Sequence, residues 1–324
     1  MNTAAFDRLF TIGFIVLSLC LVFAGLAHLL PSPWWLELFT HFISIYALGS
    51  VALVVFYFWR KQVNRFFISL TYFIITLSSI APYVLPSSIV RTRTNQTEIT
   101  VIFSNTHYSS VSIEALAHLI WQRQPSFVFL AELRESQFAE LRSQLPEYSG
   151  NIVPGGPDPW VHAISYLSLT ELGEVSEEVV RFDNMSPGLV VTSEALPDLQ
   201  LQALHIFPPR SKRTVDLRDL ALRNIAGYAS NEENLVVVGD LNITPFSPPF
   251  NKLLEVGGLT DARVGSGPFG TWPTNLPIFT TIPIDHALWK GAWEVCKLER
   301  GPDVGSDHFP LVIKLCYNAS EEKT

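Results

Sequence analysis

Eight polar residues stand where apolar runs stop. Asn105 closes EITVIFSN, Glu132 follows FVFLA, and His205 closes LQLQALH. Asp240 and Asn242 belong to the GDLN that follows LVVV, Asp285 opens DHALW, and Asp307 and His308 lie in GSDHFPLVIKL. Singly, each has an ordinary reading as a turn aspartate, a capping asparagine or a surface glutamate. Together they form a set of carboxylate and amide oxygens with two imidazoles. Oxygen donors of this kind suit a hard divalent cation, Mg2+ or Mn2+. Zinc would call for a His/Cys cluster, and the chain has no CxxC pattern. The spacing of two in Asp240-Leu241-Asn242 points both side chains the same way if the strand continues through them. A carboxylate beside an imidazole, Asp285 with His308, fixes the ring tautomer and raises its basicity.

For these residues to meet, several strand ends must gather on one edge. Period-two and fully apolar runs predict strands over 98–105, 127–132, 162–169, 188–194, 199–205, 235–240, 284–289, 293–298 and 311–316. Helical spacing predicts helices over 112–124, from 133 to about 144, over 215–230 and over 250–256. Many strands with a few helices in mixed order indicate an α+β layered sandwich rather than a regular βαβ alternation. No glycine-rich nucleotide loop is present. The segments 150–160 and 268–283 are glycine- and proline-containing loops, either facing the substrate or simply connecting. His107, His118 and His162 have no evident partner, and His286 should point to the face opposite Asp285 and be structural.

The ordered set resembles the endonuclease/exonuclease/phosphatase superfamily, with its deoxyribonuclease I-like fold. That family carries an early Asn, a strand-terminal Glu, a His, GD-x-N, an Asp before a strand and a C-terminal S-D-H. These match Asn105, Glu132, His205, Gly239-Asp240-Leu241-Asn242, Asp285 and Ser306-Asp307-His308, over roughly residues 98–317. One departure is Ala131, where many relatives have Gln before the Glu. The resemblance implies a four-layer α/β/β/α sandwich and hydrolysis of a phosphodiester or phosphomonoester by metal-assisted attack of water. A phosphoester is anionic and repels hydroxide, so a divalent cation that offsets its charge fits the chemistry. Glu132, Asn105 and Asp307 are the expected metal ligands. Asp240, Asn242, His205, Asp285 and His308 are the expected catalytic residues. Asn242 would hold the phosphate, and His205 would contact phosphoryl oxygens or protonate the leaving group. Either Asp240 or His308 would take the proton from water.

Charge is distributed unevenly along the 324 residues. Residues 1–90 contain only Asp7, Arg8, Glu37, Arg60, Lys61 and Arg65 as charges, while the remaining 234 carry 18 basic and 28 acidic residues, a formal −10. Three apolar runs, 9–30, 36–58 and 66–85, are each long enough to cross a hydrocarbon core of about 30 Å as a helix. The expected organisation is therefore a membrane anchor over 1–85, a linker over 86–97, the catalytic domain over 98–317 and a tail over 318–324. Glu37 opens the second run, where it would reach the headgroups, and His28 and His41 sit near span ends in ordinary interfacial positions. The loop holding Arg60, Lys61 and Arg65 belongs in the cytoplasm by the positive-inside rule. The large domain then emerges on the outer side, in a bacterium the periplasmic face of the inner membrane, although Arg91 and Arg93 weigh the other way. That compartment permits a Cys296–Cys316 disulfide, with two buried thiols as the alternative.

The acidic balance disfavours non-specific nucleic-acid binding. A basic cluster of Arg210, Lys212, Arg213, Arg218 and Arg223 reads either as a solvated helix face or as a local phosphate strip. The expected partners are the bilayer and a phosphoester substrate, whether a lipid head group, a small molecule or nucleic acid, and no protein partner. The alternatives are a nuclease acting on extracellular or periplasmic DNA or RNA, and a non-catalytic binding protein reusing the fold.

Overall fold

The computed structural model describes residues 3–30, 33–85, 97–108, 110–156, 159, 161–183 and 186–318. The linker at 86–97 falls outside these residues except for Thr97, and so does the tail except for Asn318. Arg91, Arg93 and Trp160 are outside them as well.

The chain opens with three long apolar helices. α1 (Thr3–Leu29) is followed by a 3-10 segment, Trp34–Phe42, that runs into α2 (Ile43–Trp59), and α3 (Val63–Val84) closes the bundle. Three stretches, Ala4–Leu29, Trp34–Trp59 and Val63–Val84, are long and apolar enough to cross a membrane. At the α2–α3 turn, Arg60 pairs with Asp7 of α1, and Arg65 donates to Thr11 at 3.2 Å.

The rest of the chain supplies β1 (Glu98–Asn105), α4 (Ile113–Arg123), β2 (Phe127–Ala131), α5 (Glu135–Gln144), β3 (Tyr148–Val153), β4 (Ile164–Leu169), β5 (Val175–Arg181), β6 (Pro187–Ser193) and β7 (Leu196–His205). α6 (Lys212–Asn231), β8 (Leu235–Asp240), α7 (Pro248–Gly257), β9 (Thr260–Asp261), β10 (Asp285–Lys290), β11 (Trp293–Arg300) and β12 (Leu311–Tyr317) complete it. The strands form two six-stranded mixed sheets, ordered β11-β12-β1-β2-β4-β3 and β5-β6-β7-β8-β10-β9.

Side-chain alternation explains how the layers stack. In β1, Val101 and Phe103 point into the core between the sheets, while Ile102 packs with Leu116 and Ile120 of α4. In β8, Val236 and Val238 enter the same inter-sheet core, while Leu235 and Val237 pack with Ala221 and Ile225 of α6. Each central strand is covered on both faces, which is why LVVVGD reads as a continuous apolar run. The order helices, sheet, sheet, helices is the expected four-layer sandwich.

Two edge strands differ from the sequence reading. β3 occupies part of the expected 150–160 loop, and β5 was not anticipated. Edge strands pack on one side only, so β5 (VSEEVVR) is mostly exposed and lacks the apolar signal of a central strand. Cys296 and Cys316 join neighbouring strands β11 and β12 as a disulfide.

The bundle and the sandwich are docked through a polar junction. Glu37 does not reach outward to headgroups; its carboxylate pairs with the fully buried Arg218 of α6 and accepts from Ser247 Oγ at 2.9 Å. His41 Nδ1 accepts the Thr244 N–H at 3.3 Å and lies 3.0 Å from Thr244 Oγ1. Beside this, Phe246 stacks edge-on against Tyr83, and the N–H groups of Gly265 and Gly267 donate to the carbonyls of Pro82 and Tyr83. Arg218 thus leaves the solvated face that the sequence suggested for its cluster, whereas Arg210, Lys212 and Arg213 remain exposed. The docking residues lie at the start of the second apolar stretch and the end of the third, so the domain sits at the bundle end opposite Arg60 and Lys61.

Candidate active site

Strand register brings the second sheet's residues into a row. His205 pairs with Asp240 across parallel β7 and β8, and Asp240 pairs with Asp285 across antiparallel β8 and β10. In the first sheet, Asn105 pairs with Ala131, one residue before Glu132. The loop before β12 adds Asp307 and His308 at the same edge, held there by Ser306, which donates to the Asn105 carbonyl at 2.7 Å. The two sheets therefore contribute facing halves of a single cluster.

The contacts run across it. Asn105 Nδ2 lies 3.1 Å from both Glu132 Oε1 and Asp240 Oδ2. His205 Nε2 is 3.4 Å from Glu132 Oε1 and 3.8 Å from Asp240 Oδ2. His308 Nδ1 is 2.9 Å from Asp285 Oδ2, while its Nε2 lies 3.8 Å from Asp240 Oδ2 and 4.0 Å from Asp307 Oδ1. Asp240, Asp285 and His308 are all buried, with one polar atom of each within 4.8 Å of the others. His107 and Trp272 complete the wall around Asp307: His107 Nδ1 is 3.8 Å from Oδ1, and Trp272 Nε1 donates to Oδ2 at 3.0 Å.

Two of the eight residues hold a left-handed backbone. Glu132 has φ +56° and Asn242 φ +49°. Asparagine tolerates this region, but for glutamate it is uncommon and is found where the surroundings over-determine it. The Glu132 N–H is tied to the Ala163 carbonyl at 3.1 Å. The strand does not continue through Asp240-Leu241-Asn242, so the parallel side-chain directions expected from their spacing do not arise. Instead, the Asn242 N–H donates to Asp240 Oδ1 at 2.9 Å, and its amide donates to the Ile206 carbonyl at 2.8 Å, linking the turns after β7 and β8.

Burial and charge separate the two imidazoles. Burial lowers His205 to about 4, helped by the nearby His308. Burial alone would also lower His308, but Asp285 and Asp240 outweigh it and raise the ring to about 10. Asp240 is pushed up to about 8 by burial and by the Asp285 charge. Burial likewise raises Glu132, and the Asp307 carboxylate adds to that against the Asn105 hydrogen bond. Opposed shifts within one cluster are how a site obtains both an acid and a base near neutrality.

All eight sequence-predicted residues are therefore brought to one edge, Asn242 through a backbone turn. His107, Trp272 and Thr271, whose hydroxyl accepts the Asp285 N–H at 3.3 Å, were not assigned to the site from sequence. They sit on loops with no periodic signal. His286 is structural as expected, with Nε2 2.8 Å from the Ile243 carbonyl. His162 packs on the rings of His205 and Phe207.

A two-sheet sandwich with this cluster at the strand ends is the architecture of a phosphoric ester hydrolase. The Endonuclease/Exonuclease/phosphatase family model matches residues 102–308, and the chain belongs to that family. No curated protein matches it in sequence. Among solved structures it is similar to an endonuclease/exonuclease/phosphatase family protein from Bacteroides thetaiotaomicron, with 14% identity and TM-score 0.53 over 72% of this chain and 99% of that one. It is also similar to a mannosyl-6-phosphatase of the same organism, with 15% identity and TM-score 0.50 over 67% and 99%. A 3' phosphatase from Neisseria, bound to a product DNA hairpin, shares 16% identity and TM-score 0.52 over 66% and 98%. At these identities the likeness is one of fold.

Proposed function

We propose that this chain is a membrane-anchored phosphoesterase that uses Mg2+ or Mn2+ to hydrolyse a phosphodiester or phosphomonoester outside the cytoplasm. The observation that carries the reading is the meeting of Asn105, Glu132, His205, Asp240, Asp285, Asp307 and His308 at one sheet edge. A cation fits the donors. Among the described residues, Asp307 Oδ1 is shielded from solvent and has no hydrogen-bond partner, which is costly for a carboxylate oxygen unless a cation meets it. Glu132, whose carboxyl feels Asp307, would be the second ligand. Asn105 would join them once its amide turned, since Oδ1 now accepts the His107 N–H at 3.0 Å. When bound, the cation would neutralise and polarise the phosphoryl group.

The remaining roles follow from protonation. His308, held protonated by Asp285, would carry positive charge toward the phosphoryl oxygens and is unsuited to accept a proton near neutrality. Asp240, pushed up to about 8, is mostly protonated at neutral pH in the metal-free site; a bound cation would favour its ionised form, a stronger base than an ordinary carboxylate, which would then orient and deprotonate water. His205, neutral in that range, would hydrogen-bond the phosphoryl group or leaving oxygen. Asn242 would hold the two turns at the correct separation. The outward placement is supported by the positive loop at the far end of the bundle and by the Cys296–Cys316 disulfide. In a bacterium this would be the inner membrane with the domain in the periplasm.

The test is hydrolysis by the purified full-length chain of a panel of phosphodiesters, phosphomonoesters and oligonucleotides. Each is assayed with Mg2+ and with chelator, beside Glu132→Ala and His308→Ala. Activity that ignores both the chelator and the substitutions would overturn the mechanism. Selective cleavage of oligonucleotides would instead assign a nuclease.

A further inference from the structure

A second feature joins the site to the membrane bundle. The loop between β9 and β10 carries no charged residue from Val264 to Ile284. Its tip, Asn275-Leu276-Pro277-Ile278-Phe279, is exposed throughout, with Leu276, Ile278 and Phe279 at 48%, 59% and 64%. Three neighbouring large apolar side chains on a water-facing loop mark a surface that is covered in use. The 3-10 turn at this tip, Ile278–Thr280, lies beside α2, whose own Leu48, Val51 and Val55 face outward. The tip is thus close to an apolar helix that is long enough to cross a membrane. The Glu37–Arg218 and His41–Thr244 contacts fix the domain on the bundle, so this neighbourhood is built into the fold.

The roots of the same loop hold the site. Trp272 donates to Asp307 Oδ2, the Thr274 N–H donates to the Asp307 carbonyl at 3.0 Å, and Thr274 Oγ1 donates to the Ser306 carbonyl at 2.7 Å. Thr271 receives the Asp285 N–H. Only a few residues separate the apolar tip from groups that position Asp307 and Asp285.

We propose that Leu276, Ile278 and Phe279 insert into the leaflet on the domain's side, and that they seat the mouth of the site at the headgroup layer so that it takes phosphoesters carried on lipid chains. The proposal rests on the membrane-anchored phosphoesterase reading above. An apolar loop with an aromatic tip suits the interface, where its side chains reach the acyl boundary while the backbone stays near water. The exposed Arg210, Lys212 and Arg213 lie at the start of α6, the helix that carries the docked Arg218, and offset the repulsion between an acidic domain and an anionic surface.

The experiment uses the full-length chain in nanodiscs of phosphatidylcholine and phosphatidylglycerol. Phe279→Cys in a Cys20→Ser background, labelled with an environment-sensitive fluorophore, should be quenched by lipids brominated on their acyl chains. A label at Ser143→Cys on α5 should not. Hydrolysis is then compared for matched methyl and hexadecyl esters, as 4-nitrophenyl diesters and as phosphate monoesters. The wild type should prefer the hexadecyl member at least tenfold. The L276S/I278S/F279S variant should lose that preference at least fivefold while turning over the methyl member within twofold of wild type. An unquenched label at 279, no chain-length preference in the wild type, or equal loss on both esters would overturn the proposal. A wild type that cleaves none of the four esters yet shows the quenched label would overturn the phosphoesterase reading and leave the loop insertion standing.

Discussion

Replacing Arg218 by leucine should loosen the sandwich domain from the apolar helix bundle. The Arg218 side chain has no solvent exposure and serves two carboxylates: it pairs with Glu37 of the bundle and donates to Asp219 Oδ1 from Nε at 3.0 Å and Nη2 at 2.8 Å. Asp219 can turn toward water, since more than a quarter of its side chain is exposed, but Glu37 is confined at 11%. Removing one partner of a buried pair leaves an uncompensated charge and costs about 3–5 kcal/mol, whereas replacing both by apolar residues is often close to neutral. For a unit of this size each kcal/mol moves the melting temperature by roughly 2–4 °C, so the single variant should melt roughly 6–20 °C lower. The assay is tryptophan fluorescence against temperature for the full chain in detergent, with limited proteolysis near the domain junction. Glu37→Leu alone should show a smaller loss, and Glu37→Leu with Arg218→Leu should recover most of the stability. Losses below about 1 kcal/mol in Arg218→Leu, or a double variant worse than the sum of the singles, would refute the assignment of this pair as the junction.

Three further outcomes follow from the site and its setting. In the metal-free protein, His308 is raised from 6.5 to about 10, so the stability it contributes is complete below pH 6.5 and lost as pH rises through about 10. Asp240, raised from 3.8 to about 8, adds a loss of the same sign between those values. Asp285→Asn removes the leading cause of the first shift and a cause of the second. It should flatten the alkaline fall in melting temperature and leave the His308 ring neutral at pH 7, as read by histidine-selective nitrogen NMR; an unchanged titration would contradict the pairing. Chelator should abolish hydrolysis and Mg2+ restore it, Glu132→Gln should not respond to added Mg2+, and His308→Gln should lower kcat by about 10²–10⁴. A C-terminal alkaline phosphatase fusion in bacterial cells should be active, as for a domain outside the cytoplasm; an inactive fusion at normal expression would reverse the orientation.

The sandwich was legible where burial is two-sided or alternation is clean. β1 and β8 carry uninterrupted apolar stretches because their neighbours cover both faces, and their observed ends coincide with the runs read from the sequence. β3 and β5 left no comparable trace. As edge strands they bury little, and β5 has glutamates where a central strand would have valine. The site was legible for a related reason: a polar residue at the end of a buried strand needs an explanation, and an ordered set of them suits one chemistry. Asn242 shows the limit of that reasoning. Spacing of two predicts a shared direction only in extended backbone, and a φ of +49° breaks the premise while keeping the residue at the site through its hydrogen bonds.

What local pattern could not reveal is the junction. Glu37 and Arg218 are 181 positions apart. Each has a sufficient local reading, one as a carboxylate at the start of a span and the other as one of five cations around a helix. Only the pairing shows that both readings are incomplete. Its consequence is that the helix bundle and the candidate site are physically joined. His41 of the second apolar stretch bonds Thr244, which lies two residues beyond Asn242 and four beyond Asp240. A shift of the bundle would therefore be felt in the turn that carries Asp240 and Asn242. On the proposal that the helices span a membrane, the paired charges, the His41 contact beside the Asp240 turn and the apolar loop beside α2 argue that the membrane would set how the site is oriented as well as where it is.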